Sequence, residues 1–285
     1  MKPLMSPTRS QSLAGNGRPS AGANSDANPV ARRLAELRRA GRKAFAPFIM
    51  AGYPSLEATA DLLHGLAEAG ADLIELGIPF SDPLADGPVN EAAAHQALAR
   101  GTTVDRVFSL LSGISVGMPC PALLFTYLNP VLQRGAGAFA REAAAAGTAG
   151  LVVPDLPPEA SGEVAGPAGV AGLGMTFLAA PTSTERRIAL AARASTAFLY
   201  AVSLLGVTGE RSALPLDLPD FLARARRITD RPILLGFGVG SPEQAVEAAA
   251  LADGVIVGSA LVRLAGTEGV AATCRLAREI RAALA

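Results

Sequence analysis

Short apolar runs alternate with amphipathic stretches along most of this sequence. The runs recur at intervals of roughly 25–35 residues, and each is followed by apolar residues at helical spacing. The predicted strands are residues 45–50, 71–76, 121–126, 149–153, 174–179, 196–202, 232–235 and 253–257. Strands that alternate with helices indicate βαβ units in a parallel sheet. Eight such units in 285 residues favour an α/β fold with one closed (β/α)8 TIM barrel, and an open doubly wound sheet is the alternative.

Polar residues mark the starts of two predicted helices. Thr182 is followed three residues later by Glu185, which fits a capping box. Ser241, Pro242 and Gln244 combine an N-cap, a proline at the first helical position and a glutamine at the third. Both patterns predict helices that begin directly after these caps.

The first thirty residues differ in composition from the rest. Residues 1–30 are rich in Ser, Asn, Gly, Pro and Ala and have no apolar periodicity. They also lack the continuous apolar core of a secretory signal. This composition predicts a disordered tail. A short amphipathic helix over residues 31–41 is then expected to begin the barrel domain, residues 31–285.

Composition and charge exclude several classes of partner. Half of the residues are hydrophobic, 18% are charged, and the formal net charge is zero. This balance gives no electrostatic basis for binding nucleic acid or an anionic membrane surface. No apolar run reaches the roughly 18 residues of a membrane span. The two cysteines lie far apart, and with only two histidines no metal-ligand spacing is present, which favours a reducing, cytoplasmic compartment.

Two carboxylates lie close together in the sequence but in contrasting surroundings. Glu75 falls inside an apolar strand, where an ionised carboxylate is costly unless it is paired, solvated or used. Asp86 follows in a loop rich in Pro, Gly and Asp. Contrasting environments separate two pKa values, so the pair fits general acid–base catalysis. The alternatives are a buried structural Glu75 and a turn residue at Asp86.

Two tyrosines come at the ends of predicted strands. Tyr127 and Tyr200 could each donate a hydrogen bond into a cavity or simply pack there. His64 and His95 lie in predicted helices, and we interpret both as exposed surface residues.

Glycine-bearing turns follow the last three predicted strands. Gly206 and Gly209 follow the sixth strand, Gly236 and Gly238 follow the seventh, and Gly258 with Ser259 follows the eighth and begins a helix. Barrels commonly bind a phosphate on backbone N–H groups and a short helix N-terminus in this region. Any one turn could merely end a strand, but three on consecutive loops indicate phosphate binding.

The sequence also resembles one family from about residue 31 to the C-terminus. The resemblance is carried by eight motifs in barrel order: PFIMAGYP (47–54), ELGIPFSDPLADGP (75–88), YLNP (127–130), PDLPPE (154–159), APTST (180–184), GVTG (206–209), GFGVGSPEQ (236–244) and DGVIVGSALV (253–262). These motifs are similar to those of the α subunit of tryptophan synthase. The resemblance implies a (β/α)8 barrel that cleaves indole-3-glycerol phosphate to indole and glyceraldehyde 3-phosphate without a cofactor, in the last steps of L-tryptophan biosynthesis.

The resemblance also implies roles for particular residues. Glu75 would deliver a proton to indole C3, Asp86 would hold the indole N–H, and Tyr200 would assist near the reacting glycerol. The residues implied in substrate and phosphate binding are Phe48, Leu124, Thr208, Gly209, Gly238, Gly258 and Ser259. Phe48 and Leu124 would form the apolar wall.

The family works with a second subunit. The resemblance implies a complex with a pyridoxal-phosphate-dependent β subunit, as an α2β2 heterotetramer. Residues 79–88 and the segment after Tyr127 would form much of that contact, and residues 203–214 would close over the substrate.

The sequence departs from the family pattern at three points. Met50 replaces the usual Thr, Val89-Asn90-Glu91 follows Gly-Pro where an apolar residue and then Gln are common, and Leu204 replaces the usual Arg of the sixth loop. The altered sixth loop leaves open a stand-alone lyase that releases free indole. A non-catalytic activator of a β subunit is a further alternative, and the presence of Glu75, Asp86 and the glycine turns argues against it.

Overall fold

Eight parallel strands close into one barrel in the computed structural model, which describes residues 28–202, 217–236 and 238–285. The strands are β1 Ala44–Met50, β2 Ile74–Gly77, β3 Ala122–Phe125, β4 Gly150–Val152, β5 Gly174–Ala179, β6 Leu199–Val202, β7 Ile233–Gly236 and β8 Gly254–Val257. Each strand pairs with its neighbour in sequence, and β1 also pairs with β8. The predicted TIM barrel is therefore confirmed, and the open sheet is excluded.

Helices follow the strands and surround the barrel. In the described ranges they are α1 Pro29–Arg39, α2 Leu56–Glu68, α3 Pro88–Ala99, α4 Val104–Ile114, α5 Leu128–Arg134, α6 Ala136–Ala145, α7 Gly162–Val170, α8 Glu185–Ala194, α9 Leu218–Ile228, α10 Pro242–Leu251, α11 Ser259–Thr267 and α12 Val270–Ala283. Short 3-10 helices occupy Ser115–Gly117 and Pro158–Ala160. None of these helices has the length and apolar character needed to cross a bilayer.

Two helix starts differ from the sequence predictions. The predicted cap at Thr182 is wrong: α8 begins at Glu185, and Thr184 caps it by accepting a hydrogen bond from the Arg187 N–H. The chain still turns before the helix here, because the Ser183 hydroxyl accepts from the Ala180 N–H. The sequence also predicts a helix over residues 91–100, whereas α3 begins at Pro88, because proline suits the first helical position.

The cap predicted at Ser241 is confirmed. Its hydroxyl accepts a hydrogen bond from the Gln244 N–H, as an N-cap does. The Gln244 side chain reaches back past the cap and accepts from the Gly240 N–H.

Helix α1 begins earlier than expected and closes one end of the barrel. Asn28 is buried, caps α1 at Pro29 and donates to the Ala149 carbonyl at 2.7 Å, so residues 28–30 belong to the fold and not to a tail. Val30, Leu34 and Leu37 pack into the interior of the barrel at its N-terminal end. Residues 1–27 of the predicted tail lie outside the described residues.

A buried ion cluster lies at the same end. Asp72 is fully buried and accepts hydrogen bonds from Arg33 at 2.7 Å, from Arg281 at 2.9 Å and from the Phe45 N–H at 3.0 Å. These bonds tie α1 and α12 to the first two strands. Because the cluster lies away from the C-terminal ends of the strands, it serves stability.

The apolar core has two layers, as expected for strands buried on both faces. Residues such as Phe45, Ile49 and Phe177 pack between the strands and the surrounding helices. Successive side chains of a strand point to opposite faces, and those that point the other way, such as Leu73 and Leu234, fill the interior of the barrel. A third cluster near the C-terminal ends joins β1 to α3 and α11.

Candidate active site

Glu75 extends from the middle of β2 into the barrel. Its neighbours Ile74 and Leu76 pack in the outer layer, so the alternation of the strand turns Glu75 inward. The side chain is fully buried, and its Oε1 has no hydrogen-bond partner among the described residues. Burial raises the pKa of Glu75 to about 8, against the opposing effect of a hydrogen bond from Tyr200. Near neutral pH the carboxyl is therefore mostly protonated and able to donate a proton.

Tyr200 approaches Glu75 from β6 on the other side of the barrel. Its hydroxyl donates a long hydrogen bond of 3.4 Å to Oε2 of Glu75. The ring fits only because residue 236 is glycine: a Cβ there would lie 2.5 Å from Tyr200 Cε1. Burial, and then the charge of Glu75 and that of Asp86, raise the pKa of Tyr200 well above its usual value. Tyr200 therefore remains a neutral donor.

Asp86 lies on the loop after β2, directly before α3. The Tyr127 hydroxyl donates a 2.9 Å hydrogen bond to Asp86 Oδ2 and accepts a 3.1 Å bond from the Ala85 N–H. Burial raises the pKa of Asp86, whereas the hydrogen bonds from Tyr127 and Asn90 lower it. Because Tyr200 bonds to Glu75 in β2 and Asp86 lies on the loop after the same strand, the structure places all three side chains on one strand–loop unit and its partner across the barrel.

Of the two residues predicted for the apolar wall, Phe48 lies beside Glu75 and Leu124 does not face it. Phe48 is the register partner of Glu75 and packs edge-to-face on Phe125 with ring centroids 5.5 Å apart. Leu124 is wrong as a wall residue, because it packs in the outer layer between β3 and the helices. Its neighbours Leu123 and Phe125 have the opposite parity and belong to the inner clusters. Phe125, and not Leu124, therefore lies on the same side of the strands as Phe48.

The glycine turns after β7 and β8 lie side by side, because these two strands pair. Gly238 has a φ of +56°, in the left-handed region that favours glycine. Gly258 is the N-cap of α11, which begins at Ser259, so the first N–H groups of that helix are available to an anion. Thr208 and Gly209, as well as the departure at Leu204, lie outside the described residues.

The sequence predictions leave one neighbour of the site residues undecided and omit another. Tyr127, which bonds to Asp86, stays open between packing and hydrogen bonding, and Phe125, which packs on Phe48, is not among the predicted residues. For Phe125 no signal was available, because residues 123–125 are all apolar.

Both histidines, His64 and His95, are exposed on helices. His95 Nε2 lies 3.1 Å from the Ser81 carbonyl oxygen. Within the described ranges, no three His, Cys, Asp or Glu side chains gather as a metal would require.

Fold and site together define the class of this protein. It is a (β/α)8-barrel enzyme with two carboxyl groups of different environment, one inside β2 and one on the loop that leaves the C-terminal end of that strand, the end at which barrel enzymes carry their catalytic residues. The comparisons with known proteins agree. The sequence profile of the family described as Tryptophan synthase alpha chain matches residues 34–283.

Similar proteins with that name cover most of the chain. A tryptophan synthase alpha chain of Picosynechococcus sp. is 46% identical over 261 residues, 90% of this chain and 99% of the relative. One from Synechococcus elongatus is 48% identical over 252 residues, 88% and 95% of the two chains. The structure of tryptophan synthase from Mycobacterium tuberculosis gives a TM-score of 0.85 at 39% identity and covers 90% of this chain and 98% of that one. The chain belongs to the tryptophan synthase alpha chain family, and it is a lyase of tryptophan biosynthesis.

Proposed function

We propose that Glu75, Asp86 and Tyr200 carry out the cleavage of indole-3-glycerol phosphate to indole and glyceraldehyde 3-phosphate. The observation that carries this proposal is the contrast between the two carboxyl groups. Glu75 is buried and mostly protonated near neutral pH, whereas Asp86 lies on a loop and accepts a 2.9 Å hydrogen bond from the neutral Tyr127 hydroxyl. A retro-aldol cleavage of this kind needs one group to donate a proton and a second to stabilise developing positive charge.

The first step is a proton transfer to the indole ring. The Glu75 carboxyl gives its proton to indole C3, and the ring becomes an indolenine whose nitrogen carries positive charge. The Asp86 carboxylate accepts the indole N–H and stabilises that charge. Tyr200 remains neutral and keeps the Glu75 side chain in place through its hydrogen bond.

The second step breaks the carbon–carbon bond. The Glu75 carboxylate takes the proton from the glycerol hydroxyl next to the ring, the aldehyde forms, and the electron pair of the broken bond returns to the ring. Indole and glyceraldehyde 3-phosphate leave, and Glu75 again carries its proton. Protons therefore balance within one cycle, and one side chain serves both as acid and as base.

Binding of the substrate would use the glycine turns and the aromatic wall. Gly238, Gly258 and Ser259 offer backbone N–H groups to the phosphate, and the N-terminus of α11 favours its charge. Thr208 and Gly209 complete this set by their positions in the sequence. Phe48 and Phe125 would contact the indole ring.

We also infer a β-subunit partner in an α2β2 complex, in the cytoplasm. Leu84, on the loop after β2, is 86% exposed, and Leu132, on α5 after the adjacent strand β3, is 42% exposed. Exposed apolar residues on neighbouring loops of one barrel end suit a protein contact. Pyridoxal phosphate would belong to that β subunit, and the lyase step would need no cofactor.

The function is tested by incubating the purified protein with indole-3-glycerol phosphate and measuring both products. We expect indole and glyceraldehyde 3-phosphate in equal amounts. Absence of indole, with and without a β subunit, would favour the alternative of a non-catalytic activator.

A stand-alone lyase is the second candidate, and the buried polar Asn90 beside Asp86 favours it. Asn90 is a residue of this chain that alters the surroundings of Asp86, so full activity would then not require a partner subunit. The two candidates are separated by turnover with and without added β subunit. A large increase with the partner indicates a synthase subunit, and an unchanged high rate indicates the stand-alone enzyme.

A further inference from the structure

The loop after β4 provides a carboxylate to the neighbouring helix α5. Asp155 lies on this loop, and its Oδ1 and Oδ2 accept a hydrogen bond from the Leu128 backbone N–H at 2.9 Å and 3.2 Å. Leu128 is the first residue of α5, and the first N–H groups of a helix have no partner within the helix itself. Asp155 therefore caps α5 from outside the segment that contains it.

The residue that precedes α5 does not supply this cap. It is Tyr127, whose side chain makes no hydrogen bond to the start of the helix. An N-cap residue is usually Ser, Thr, Asp or Asn, because their short side chains accept from the first N–H groups. The Tyr127 hydroxyl instead donates to Asp86 at 2.9 Å. With the side chain at the cap position used for the site, the acceptor for the helix comes from Asp155.

Hydrogen bonds on both sides of Tyr127 hold its backbone against β4 and the loop that follows. The Thr126 N–H donates to the Val152 carbonyl at 3.0 Å, and the Leu128 N–H donates to Asp155. Tyr127 lies between these two donors, so its Cα is fixed from before and from after. The bond to Asp155 is the one of the two that depends on a side chain.

Asp155 is itself held in place by a turn. The Leu156 N–H donates to the Val153 carbonyl at 3.1 Å, and the Leu156 side chain is buried in the outer layer of the core. A buried anchor directly after Asp155 restricts the backbone from which the carboxylate extends. The acceptor of the Leu128 N–H is therefore fixed by the barrel and not by α5.

We propose that Asp155 is a positioning residue for the reaction: by holding the backbone of Tyr127, it keeps the Tyr127 hydroxyl in hydrogen-bond contact with Asp86. This inference rests on the proposed role of Asp86 at the indole N–H. Burial, and then the charges of Asp86 and Asp155, raise the pKa of Tyr127, so its hydroxyl remains a neutral donor. Asp155 thus acts on the reaction through Tyr127.

The first test compares kcat/KM for Asp155→Ala and Asp155→Asn in the purified full-length chain. Asp155→Ala removes the acceptor, and we expect kcat/KM for indole-3-glycerol phosphate to fall about 3- to 10-fold, the size of one lost hydrogen bond. Asp155→Asn keeps an acceptor oxygen of the same reach, so its kcat/KM should stay within about twofold of the parent. An asparagine variant as impaired as the alanine variant would overturn the proposal.

The second test repeats Asp155→Ala in a Tyr127→Phe background. Because the hydroxyl through which Asp155 acts is absent there, the added change should lower kcat/KM by less than about twofold. The melting temperature should fall in both backgrounds, because the cap of α5 is lost in each. A further loss in kcat/KM as large as that in the parent would overturn the proposal, since Asp155 would then act by another route.

Two more variants separate positioning from folding. Thr184→Ala removes the cap of α8 on the Arg187 N–H and should lower the melting temperature without lowering kcat/KM. If Asp155→Ala does not fold, Leu128→Pro removes the same bond from the donor side. Proline suits this first helical position, and the extended backbone of Tyr127, with φ −95° and ψ 161°, suits the residue before a proline. Leu128→Pro should show the same loss, and a folded Asp155→Ala or Leu128→Pro with the kcat/KM of the parent would overturn the proposal.

Asp86→Asn distinguishes the role of Asp155 from that of Asp86. If Asp86→Asn is inactive while Asp155→Ala has the kcat/KM of the parent, only the role of Asp155 fails. If Asp86→Asn retains normal turnover, the proposed role of Asp86 fails, and that of Asp155 fails with it.

Discussion

The hydroxyl of Tyr127 donates a 2.9 Å hydrogen bond to Asp86 and accepts one from the backbone N–H of Ala85. One phenol at the end of β3 therefore fixes both the carboxylate and the backbone of the loop after β2. Tyr127 is almost fully buried and packs beside Phe80 and Phe125, so its own position is set by the barrel. Through this contact, the barrel restricts the movement of Asp86, although Asp86 lies on a loop.

Replacing Tyr127 with Phe should loosen this contact without creating a cavity. The pKa of Asp86 then rises, because one hydrogen bond to its charged form is lost. We expect kcat/KM at pH 7 to fall about 10-fold and the acidic limb of its pH profile to move upward. Tyr53→Phe, at a tyrosine whose hydroxyl lies against Gly266, is the matched control and should stay near the parent. Equal losses in both variants would contradict a specific role for Tyr127.

The buried Glu75 should make stability depend on pH. Its folded-state pKa of about 8 lies above the value in the unfolded chain, so its favourable contribution is complete below the unfolded pKa and is lost as pH rises through about 8. Glu75→Gln lacks this loss. We expect its free energy of unfolding relative to the parent to increase from pH 5 to pH 9, by at most about 4 kcal/mol. Urea unfolding at pH 5, 7 and 9 measures this difference, and a constant value would contradict the raised pKa.

Adjacent residues of β3 should respond to truncation in different ways. Phe125→Ala removes a ring from the inner cluster, so KM for indole-3-glycerol phosphate should rise about 10-fold or more, as expected for a lost apolar contact of a few kcal/mol. Leu124→Ala opens a cavity in the outer layer and should lower the free energy of unfolding by about 2–5 kcal/mol with little change in KM. Steady-state kinetics and urea unfolding of both variants test this. If KM rises more in Leu124→Ala than in Phe125→Ala, Leu124 and not Phe125 contacts the substrate, which would contradict this prediction.

The ion cluster at the opposite end should affect stability alone. Asp72→Ala leaves the buried Arg281 without its carboxylate, which should cost about 3–5 kcal/mol of stability and leave kcat/KM unchanged at a temperature where the variant is folded. Glu36→Ala removes a half-exposed partner of Arg33 at 3.7 Å and should cost less than about 1 kcal/mol. Thermal unfolding compares the two, and equal effects would contradict the account of the cluster.

The sequence predicted the barrel because its evidence is spread along the whole chain. Eight apolar runs alternate with helical stretches, and each unit must bury its apolar face against the next. An error in the predicted start of one helix does not change this alternation of strands and helices. At the start of α8, for example, Thr182 and Thr184 are both suitable caps, and the turn from Ala180 to Ser183 selects the second.

The site was predictable where a residue conflicts with its surroundings. Glu75 inside an apolar strand was such a conflict, and the structure keeps it buried and turned inward. Leu124 failed for the opposite reason: with Leu123 and Phe125 it forms a run with no polar residue to show which side chains point inward. A shift of one residue exchanges the two faces of a strand, and the packing of the folded barrel is needed to decide.

Asn90 shows the limit of local patterns. Its departure from the family pattern is visible in the sequence, but the burial of its side chain depends on where the loop after β2 enters α3. Loop conformation depends on contacts that are distant in sequence, such as that between Tyr127 and Ala85.

The central claim, that Glu75 moves the proton, is tested most directly by single-turnover release of indole from Glu75→Gln. The amide keeps the size of the side chain but can neither give a proton to indole C3 nor take one from the glycerol hydroxyl. With binding of substrate and far-UV circular dichroism unchanged, we expect indole release to fall by at least about 1,000-fold, within the range that acid–base groups supply. Release within about tenfold of the parent rate would contradict the role of Glu75.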